Sequence, residues 1–111
     1  MNSKKTQKLI FRDEEAKPGV QRGVWHGGPF TVVRYKYVPG AIFPSHSHEA
    51  SQLTIVLKGT IEFLVGNDKF RVEAGETIYI PSNLPHGAKV PEGDESVDSI
   101  NIFYPKREEH P

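Results

Sequence analysis

The sequence has 111 residues, the size of one ordinary domain, and contains no cysteine. Disulfide scaffolds, cysteine nucleophiles and thiolate metal sites are therefore excluded. Lys and Arg number 14 and Asp and Glu number 14, so no net positive field exists to hold nucleic acid or an anionic membrane, and we expect neither as a partner. Without a secretory signal pattern or an apolar run long enough to span a bilayer, we expect a soluble, cytoplasmic protein.

Glycine and proline divide the chain into short segments at roughly ten-residue spacing, which is typical of a sandwich or barrel of strands. The first 18 residues are polar and charged and predict a loose segment or an added edge strand. We predict an all-β fold, a small antiparallel β-barrel or jelly-roll (double-stranded β-helix), as one domain over residues 1–111 with a core over about 20–105 and a polar tail at 107–111. The predicted strands are 31–38, 52–57, 60–65, 69–73, 77–80 and 99–104.

Two of the turns predict β-hairpins. Gly59 separates residues 52–57 from 60–65, and the sequence Gly66, Asn67, Asp68 separates 60–65 from 69–73. Glycine, asparagine and aspartate accept the positive φ angles that tight turns need. The sequence therefore predicts that each of these pairs of segments forms an antiparallel hairpin.

Two histidines, His46 and His48, lie two positions apart in the extended segment 43–48. Side chains at positions i and i+2 of a strand point to the same face, so two imidazoles would converge on one point, as a metal ion requires. Gln52 lies four residues further on, and His86 follows a proline-bounded turn. The alternative interpretation is that the first two are exposed loop residues and that His86 only completes its turn.

The glycines that flank the histidine pair define a longer motif. Five residues separate Gly40 from His46, one separates His46 from His48, three separate His48 from Gln52, and six separate Gln52 from Gly59. This spacing resembles the first motif of the cupin superfamily, in which the position of Gln52 is a glutamate.

A second motif follows in the order and spacing that cupins have. Five residues separate Gly75 from Pro81, one separates Pro81 from Asn83, and two separate Asn83 from His86. The cupin pattern has glycine at position 83, and asparagine also tolerates positive φ. Val90 stands where that pattern ends in asparagine. The two motifs together are similar to a single small cupin barrel.

The resemblance implies one divalent metal ion held by His46, His48, Gln52 and His86. Imidazole and amide ligands suit Zn, Ni, Fe, Mn or Cu, and the sequence does not choose among them. Because all four ligands are neutral, the ion would keep its full charge, which strengthens it as a Lewis acid and attracts anionic groups. Alternatively, Gln52 only hydrogen-bonds a ligand and the set is three histidines.

A second cluster near the C-terminus contains Asn101, Phe103 and Arg107. It resembles an Asp-x-Phe-x-Pro-x-Arg-Glu signature in a group of small cupins that includes the enzyme opening unsaturated monouronates in pectin and alginate degradation. The resemblance implies catalytic roles at positions 101 and 107, with Arg107 binding a substrate carboxylate and Phe103 contacting substrate. Tyr35, on the predicted strand 31–38, is a further candidate for contacting substrate, and its alternative is a place in the core. Asn101 stands where the signature has aspartate, and an amide cannot act as a general base as a carboxylate can. The structural alternative is that Phe103 packs the barrel and Arg107 pairs with a neighbouring acid such as Glu108 or Glu109.

These features support three functional hypotheses. The first is a metal-dependent enzyme that acts without redox change on a small, anionic carboxylate or carbonyl compound, such as a uronate ring-opening enzyme or a sugar-acid isomerase. The second is a metal-dependent dioxygenase, and the third is a non-enzymatic ligand-sensing or ligand-binding cupin. The resemblance also implies a homodimer formed through outer sheet faces.

Overall fold

The structure, a computed structural model, describes residues 5–93 and 95–107. It confirms the all-β prediction, because the described chain folds into two antiparallel sheets arranged as a jelly-roll. Within these ranges no helix is long and apolar enough to cross a membrane. The ten strands are β1 (Glu14–Lys17), β2 (Val20–Gly27), β3 (Phe30–Tyr37), β4 (Ile42–His46), β5 (Ser51–Lys58), β6 (Thr60–Val65), β7 (Asp68–Glu73), β8 (Thr77–Ile80), β9 (His86–Lys89) and β10 (Val97–Tyr104).

The strands form one sheet of six and one sheet of four. The six-stranded sheet has the order β1-β2-β3-β10-β5-β8, and the four-stranded sheet has the order β4-β9-β6-β7. Part of the polar N-terminal segment is an edge strand, since β1 pairs with β2 at the border of the larger sheet. Residues 108–111 of the predicted polar tail lie outside the described residues.

Alternation along the strands places one face of each sheet against the other. On β10 every second residue from Val97 to Phe103 is buried, and on β6 the buried positions are Ile61, Phe63 and Val65. The inward face of β5 is unusual because it carries two polar side chains, Gln52 and Thr54, at 5% and 1% exposure. Buried polar groups require hydrogen-bond partners, so this face marks a site between the sheets.

Only one of the two predicted hairpins forms. Strands β6 and β7 pair across a tight turn, with Val65 opposite Asp68. The prediction at Gly59 is wrong, because β5 pairs with β10 and β8 whereas β6 pairs with β7 and β9. Gly59 instead makes the corner at which the chain leaves the larger sheet for the smaller one. A glycine signal indicates a turn but not the sheet that the next strand joins.

The Gly59 corner should tolerate no side chain. Gly59 has φ +81°, and an added Cβ would lie 2.5 Å from the Ser96 carbonyl oxygen and 2.9 Å from Val97 Cγ2. We expect Gly59→Ala to lower the free energy of unfolding by about 3 kcal/mol or more, measured by urea denaturation. Gly75→Ala is the matched control, because Gly75 has φ +88° and a Cβ added there would meet nothing within 4 Å, and should cost only about 1–2 kcal/mol. Equal losses would contradict the steric account.

Candidate metal centre

Three of the predicted ligands meet between the sheets. His46 ends β4, His48 lies two residues beyond it, and His86 begins β9 directly opposite His46. One ring nitrogen from each of the three lies within 4.8 Å of the other two. The ring centroids are 4.5 Å apart for His46 and His86, 4.8 Å for His48 and His86, and 5.4 Å for His46 and His48. Such a cluster has the dimensions of a site for one metal ion.

Backbone carbonyls fix the orientation and tautomer of all three rings. Each Nδ1–H donates to a carbonyl oxygen two residues away, so in the neutral form of each ring the lone pair is on Nε2. The Nε2 atoms of His48 and His86 are buried and have no hydrogen-bond partner among the described residues. Buried polar nitrogens rarely lack a hydrogen-bond partner. The arrangement fits a metal-binding histidine, in which Nε2 faces the ion and Nδ1 is held by a hydrogen bond on the far side of the ring. The Nδ1 to oxygen distances are 3.1 Å for His46 and Pro44, 2.7 Å for His48 and Ala50, and 2.8 Å for His86 and Leu84.

The environment keeps two of the rings neutral. Burial lowers the pKa of His48 and of His86, and the positive charge of Arg107 acts in the same direction at both. The carbonyls of Ala50 and Leu84 and, at His48, the Gln52 side chain oppose the shift. A lowered histidine pKa favours the uncharged ring. At neutral pH, both Nε2 lone pairs are therefore available to a cation.

The same shifts predict an acid-sensitive apoprotein. The unfolded chain binds protons at the ordinary histidine pKa of about 6.5, whereas folded His48 and His86 resist protonation to lower pH. We expect the free energy of unfolding of metal-free protein to fall as pH drops through about 6.5 and this loss to level off below the folded pKa values. Urea denaturation between about pH 7.5 and about pH 5 measures it. The variant His48→Gln/His86→Gln should show a shallower fall, and an unchanged slope would contradict the assignment.

Gln52 lies beside the histidines on the inward face of β5. It lines the same cavity as His46 and His86, and its amide Nε2 donates a 2.8 Å hydrogen bond to Thr54 Oγ1. Its other end, the carbonyl oxygen Oε1, is left as an acceptor. The fourth predicted ligand is thus placed with an oxygen available.

The cavity has a volume of about 330 Å³ and lies between the sheets. It brings together all four residues predicted for catalysis or substrate binding, and among its lining residues there is neither Asp nor Glu. Its lining includes Tyr35, Tyr37, Phe43, His46, Gln52, Phe63, His86, Asn101, Phe103 and Arg107. A positively charged, acid-free cavity favours anionic ligands.

The four residues predicted for catalysis or substrate binding differ in their surroundings. The guanidinium of Arg107 lies over the Phe103 ring at 5.1 Å, and the Arg107 backbone N–H donates to Thr31 Oγ1 at 2.8 Å. Burial raises the pKa of Tyr35, while the charge of Arg22 and a hydrogen bond to it, and the charge of Arg107, act to lower it. Asn101 accepts a 2.8 Å hydrogen bond from Thr54 Oγ1.

Sequence reasoning missed Thr54, which connects Gln52 to Asn101. Its inward position could be predicted, because Thr54 lies at i+2 from Gln52 and so shares the inward face of β5, but its contact with Asn101 is made only in the folded chain. The prediction that Asn83 can replace the motif glycine is confirmed, since Asn83 has φ +63°. That left-handed residue leads the chain into β9, and its backbone N–H donates to the His48 carbonyl at 2.8 Å.

The jelly-roll and its three-histidine centre define a protein with a candidate metal site enclosed between two β-sheets. The pattern of the cupin domain matches residues 33–103. The chain therefore belongs to the cupin family.

Several known proteins are similar to it. Dimethylsulfoniopropionate lyase DddQ of Ruegeria pomeroyi is 33% identical over 72 residues, 60% of this chain and 36% of that protein. The H2HPP isomerase of Bacillus subtilis is 36% identical over 74 residues, 65% of this chain and 31% of that protein. The chain thus spans about a third of the length of these curated relatives. The solved structure of KdgF from Halomonas sp. is 28% identical, with a TM-score of 0.78 over 92% of this chain and 97% of that one.

Proposed function

We propose that this protein is a metal-dependent enzyme that acts, without redox change, on a small carbonyl compound bearing a carboxylate, such as a sugar acid in uronate ring opening or isomerisation. The ion would be held by Nε2 of His46, His48 and His86 and by Oε1 of Gln52. The observation that carries the proposal is the meeting of three ring nitrogens within 4.8 Å, two of them on buried rings without another partner among the described residues. The metal would be Zn, Ni, Fe, Mn or Cu, all of which accept imidazole ligands.

The charge of the cavity supports an anionic substrate. None of the described residues that line it is an acid, and Arg107 contributes a guanidinium. Four neutral ligands would add the full charge of a divalent ion, which when bound polarises a substrate oxygen as a Lewis acid. Arginine binds a carboxylate through two parallel hydrogen bonds, and the Phe103 ring at 5.1 Å supports the guanidinium plane. Arg107 would therefore hold the carboxylate of the substrate.

Two further side chains would orient the substrate. Asn101 uses Oδ1 to accept from Thr54, so its amide nitrogen is the end that would donate to a substrate oxygen. The Tyr35 hydroxyl would donate a hydrogen bond or carry a proton, because burial keeps it protonated while Arg22 and Arg107 favour its ionised form. Asn101 itself would not remove a proton, since an amide is not a base at neutral pH.

The named relatives favour chemistry without an external oxidant. One is a lyase and the other an isomerase, and neither reaction class consumes an oxidant. Because the shared segments cover about a third of each relative, these names support the reaction class and not a substrate. Dioxygenase activity and non-enzymatic ligand binding remain as outcomes of the test below.

The test uses protein stripped with a chelator and reloaded separately with each of the five metals. It is mixed with an unsaturated monouronate while the ultraviolet absorbance of the substrate double bond is followed. We expect metal-dependent loss of absorbance that the stripped protein does not catalyse. Oxygen uptake with any loaded form would favour the dioxygenase. Saturable uronate binding without turnover would favour the binding protein, and no binding at all would overturn the sugar-acid substrate.

We also propose that the protein is a homodimer formed through the outer face of the six-stranded sheet. One row of apolar side chains crosses five strands of that face in register, and two of its members, Leu53 and Tyr79, are 37% and 62% exposed. A continuous apolar face of this kind is typical of an interface between subunits. The row is Trp25, Val32, Ile102, Leu53 and Tyr79.

Light scattering after size-exclusion chromatography tests the dimer. We expect about twice the chain mass for the wild type and monomers for Leu53→Lys/Tyr79→Lys, because a C2 interface places each charge twice in the contact. Leu64→Lys is the control, since Leu64 is 44% exposed on the other sheet. A monomeric wild type would overturn the proposal.

A further inference from the structure

Three polar side chains form a buried hydrogen-bond chain behind the metal centre. Gln52 Nε2 donates to Thr54 Oγ1 at 2.8 Å, and Thr54 Oγ1 donates to Asn101 Oδ1 at 2.8 Å. The three residues are 5%, 1% and 7% exposed. A buried chain of this kind is strong because its alternatives are unpaired polar groups.

The direction of the hydrogen-bond chain is set by the orientation that Asn101 has in the structure, with Oδ1 facing Thr54. A carbonyl oxygen can only accept, so with Asn101 in this orientation the single hydroxyl proton of Thr54 points to it. Thr54 Oγ1 then has only lone pairs to offer Gln52, and the end of Gln52 that faces Thr54 must be the NH₂ group. With Asn101 in this orientation, a reversed Gln52 amide would bring two oxygens together without a proton between them.

We infer that Thr54 is a positioning residue, which keeps the Gln52 amide oxygen directed toward the histidines and its NH₂ group away from them. The inference rests on the proposed metal site. The two ends of an amide have nearly the same shape, so packing alone does not distinguish them. A reversed Gln52 would present hydrogen atoms to the cation and would supply no ligand oxygen.

The hydrogen-bond chain also gives Asn101 a second role. By accepting from Thr54, Asn101 acts on Gln52 through Thr54. A carboxylate at position 101 could accept the same proton, so the orientation of Gln52 does not depend on Asn in place of Asp. The substitution changes only what position 101 offers to the cavity, which is an N–H donor instead of a base.

The experiment compares metal affinity in the variants Thr54→Val and Thr54→Ser. Valine keeps the shape of threonine without its hydroxyl, and serine keeps the hydroxyl without the methyl group. Chelator competition with Zn²⁺ measures the dissociation constant, and the visible absorption of Co²⁺-loaded protein reports the ligand set. We expect the valine variant to bind Zn²⁺ about 10-fold or more weakly with an altered Co²⁺ spectrum, and the serine variant to resemble the wild type.

A second background separates amide orientation from general loss of structure. A carboxylate presents an oxygen whichever way it is turned, so in Gln52→Glu the same Thr54→Val change should cost less than about 3-fold in affinity. Asn101→Ala tests the chain without altering β5 and should weaken binding in the same direction. If the wild type binds Zn²⁺ and Thr54→Val binds it equally well, this inference is overturned and the proposed function stands. A wild type that binds no metal overturns both this inference and the proposed function.

Discussion

Replacing His86 by alanine is expected to abolish stoichiometric metal binding. His86 faces both other histidines, with ring centroids at 4.5 Å and 4.8 Å, and its buried Nε2 has no other partner among the described residues. Loss of an outer hydrogen-bond partner costs about 10–100-fold in metal affinity, so loss of a direct ligand should cost more than about 100-fold. Elemental analysis of protein purified without a metal-affinity tag should find near one equivalent in the wild type and almost none in the variant.

His26→Ala is the matched control for this experiment. His26 is also a histidine, but it lies on β2, where its Nδ1 contacts Thr31 Oγ1 at 3.0 Å. The control should keep the wild-type metal content. Equal metal in the His86 variant, or parallel loss in both variants, would show that the ion binds elsewhere. Thermal denaturation of both variants without metal would separate lost ligation from lost fold.

Replacing Arg107 by alanine is expected to lower kcat/KM strongly. If its guanidinium binds the substrate carboxylate, Arg107→Ala removes a charged hydrogen-bond pair worth about 1.5–3 kcal/mol, and kcat/KM should fall by about 10–150-fold. The loss should be largest for the uronate and small for a neutral analogue without the carboxylate. Steady-state assays with the metal-loaded protein measure both.

Two variants make the Arg107 result specific. Arg107→Lys keeps the charge but not the two-pronged geometry, so we expect an intermediate loss. Lys106→Ala removes the same charge from the adjacent position, which is outside the cavity lining, and should change kcat/KM by less than about 3-fold. If Lys106→Ala lost as much activity as Arg107→Ala, the effect would come from the total positive charge near the cavity and not from a specific contact. If Arg107→Ala kept full activity toward the uronate, Arg107 would not bind the carboxylate.

Most strands of the fold could be predicted because their residues favour strands locally. Residues 60–65 and 77–80 are β6 and β8 with the predicted bounds. Strands β2 and β9 were missed because glycines interrupt the first and the second is only HGAK. These segments are extended because neighbouring strands pair with them, with β2 along β3 and β9 between β4 and β6. Such pairing is tertiary and leaves little trace in the local sequence.

The residues of the candidate site likewise divide into those that the sequence predicts and those that only the folded chain brings together. The spacing of His46 and His48 predicted convergence on one strand face, yet β4 ends at His46 and irregular backbone carries His48. The motif comparison found His86 and Gln52, which local periodicity alone could not connect. Thr54 was missed because its role depends on Asn101, 47 positions away in sequence, and a 2.8 Å hydrogen bond between two strands is a property of the folded chain.

The three hydrogen bonds from Nδ1 to nearby carbonyls determine which positions of this protein can be mutated without turning the histidines. Each ring is oriented by a main-chain carbonyl two residues away, so the orientation of the histidines does not depend on the side chains of β3. That strand supplies Tyr35 and Tyr37 to the lining of the cavity. Strand β10 is different, because its Phe103 packs against His48 and its Asn101 ends the hydrogen-bond chain to Gln52. Mutations at Tyr35 and Tyr37 can therefore change the shape of the cavity while the three histidines keep their orientation, and directed evolution of ligand selectivity should begin on β3.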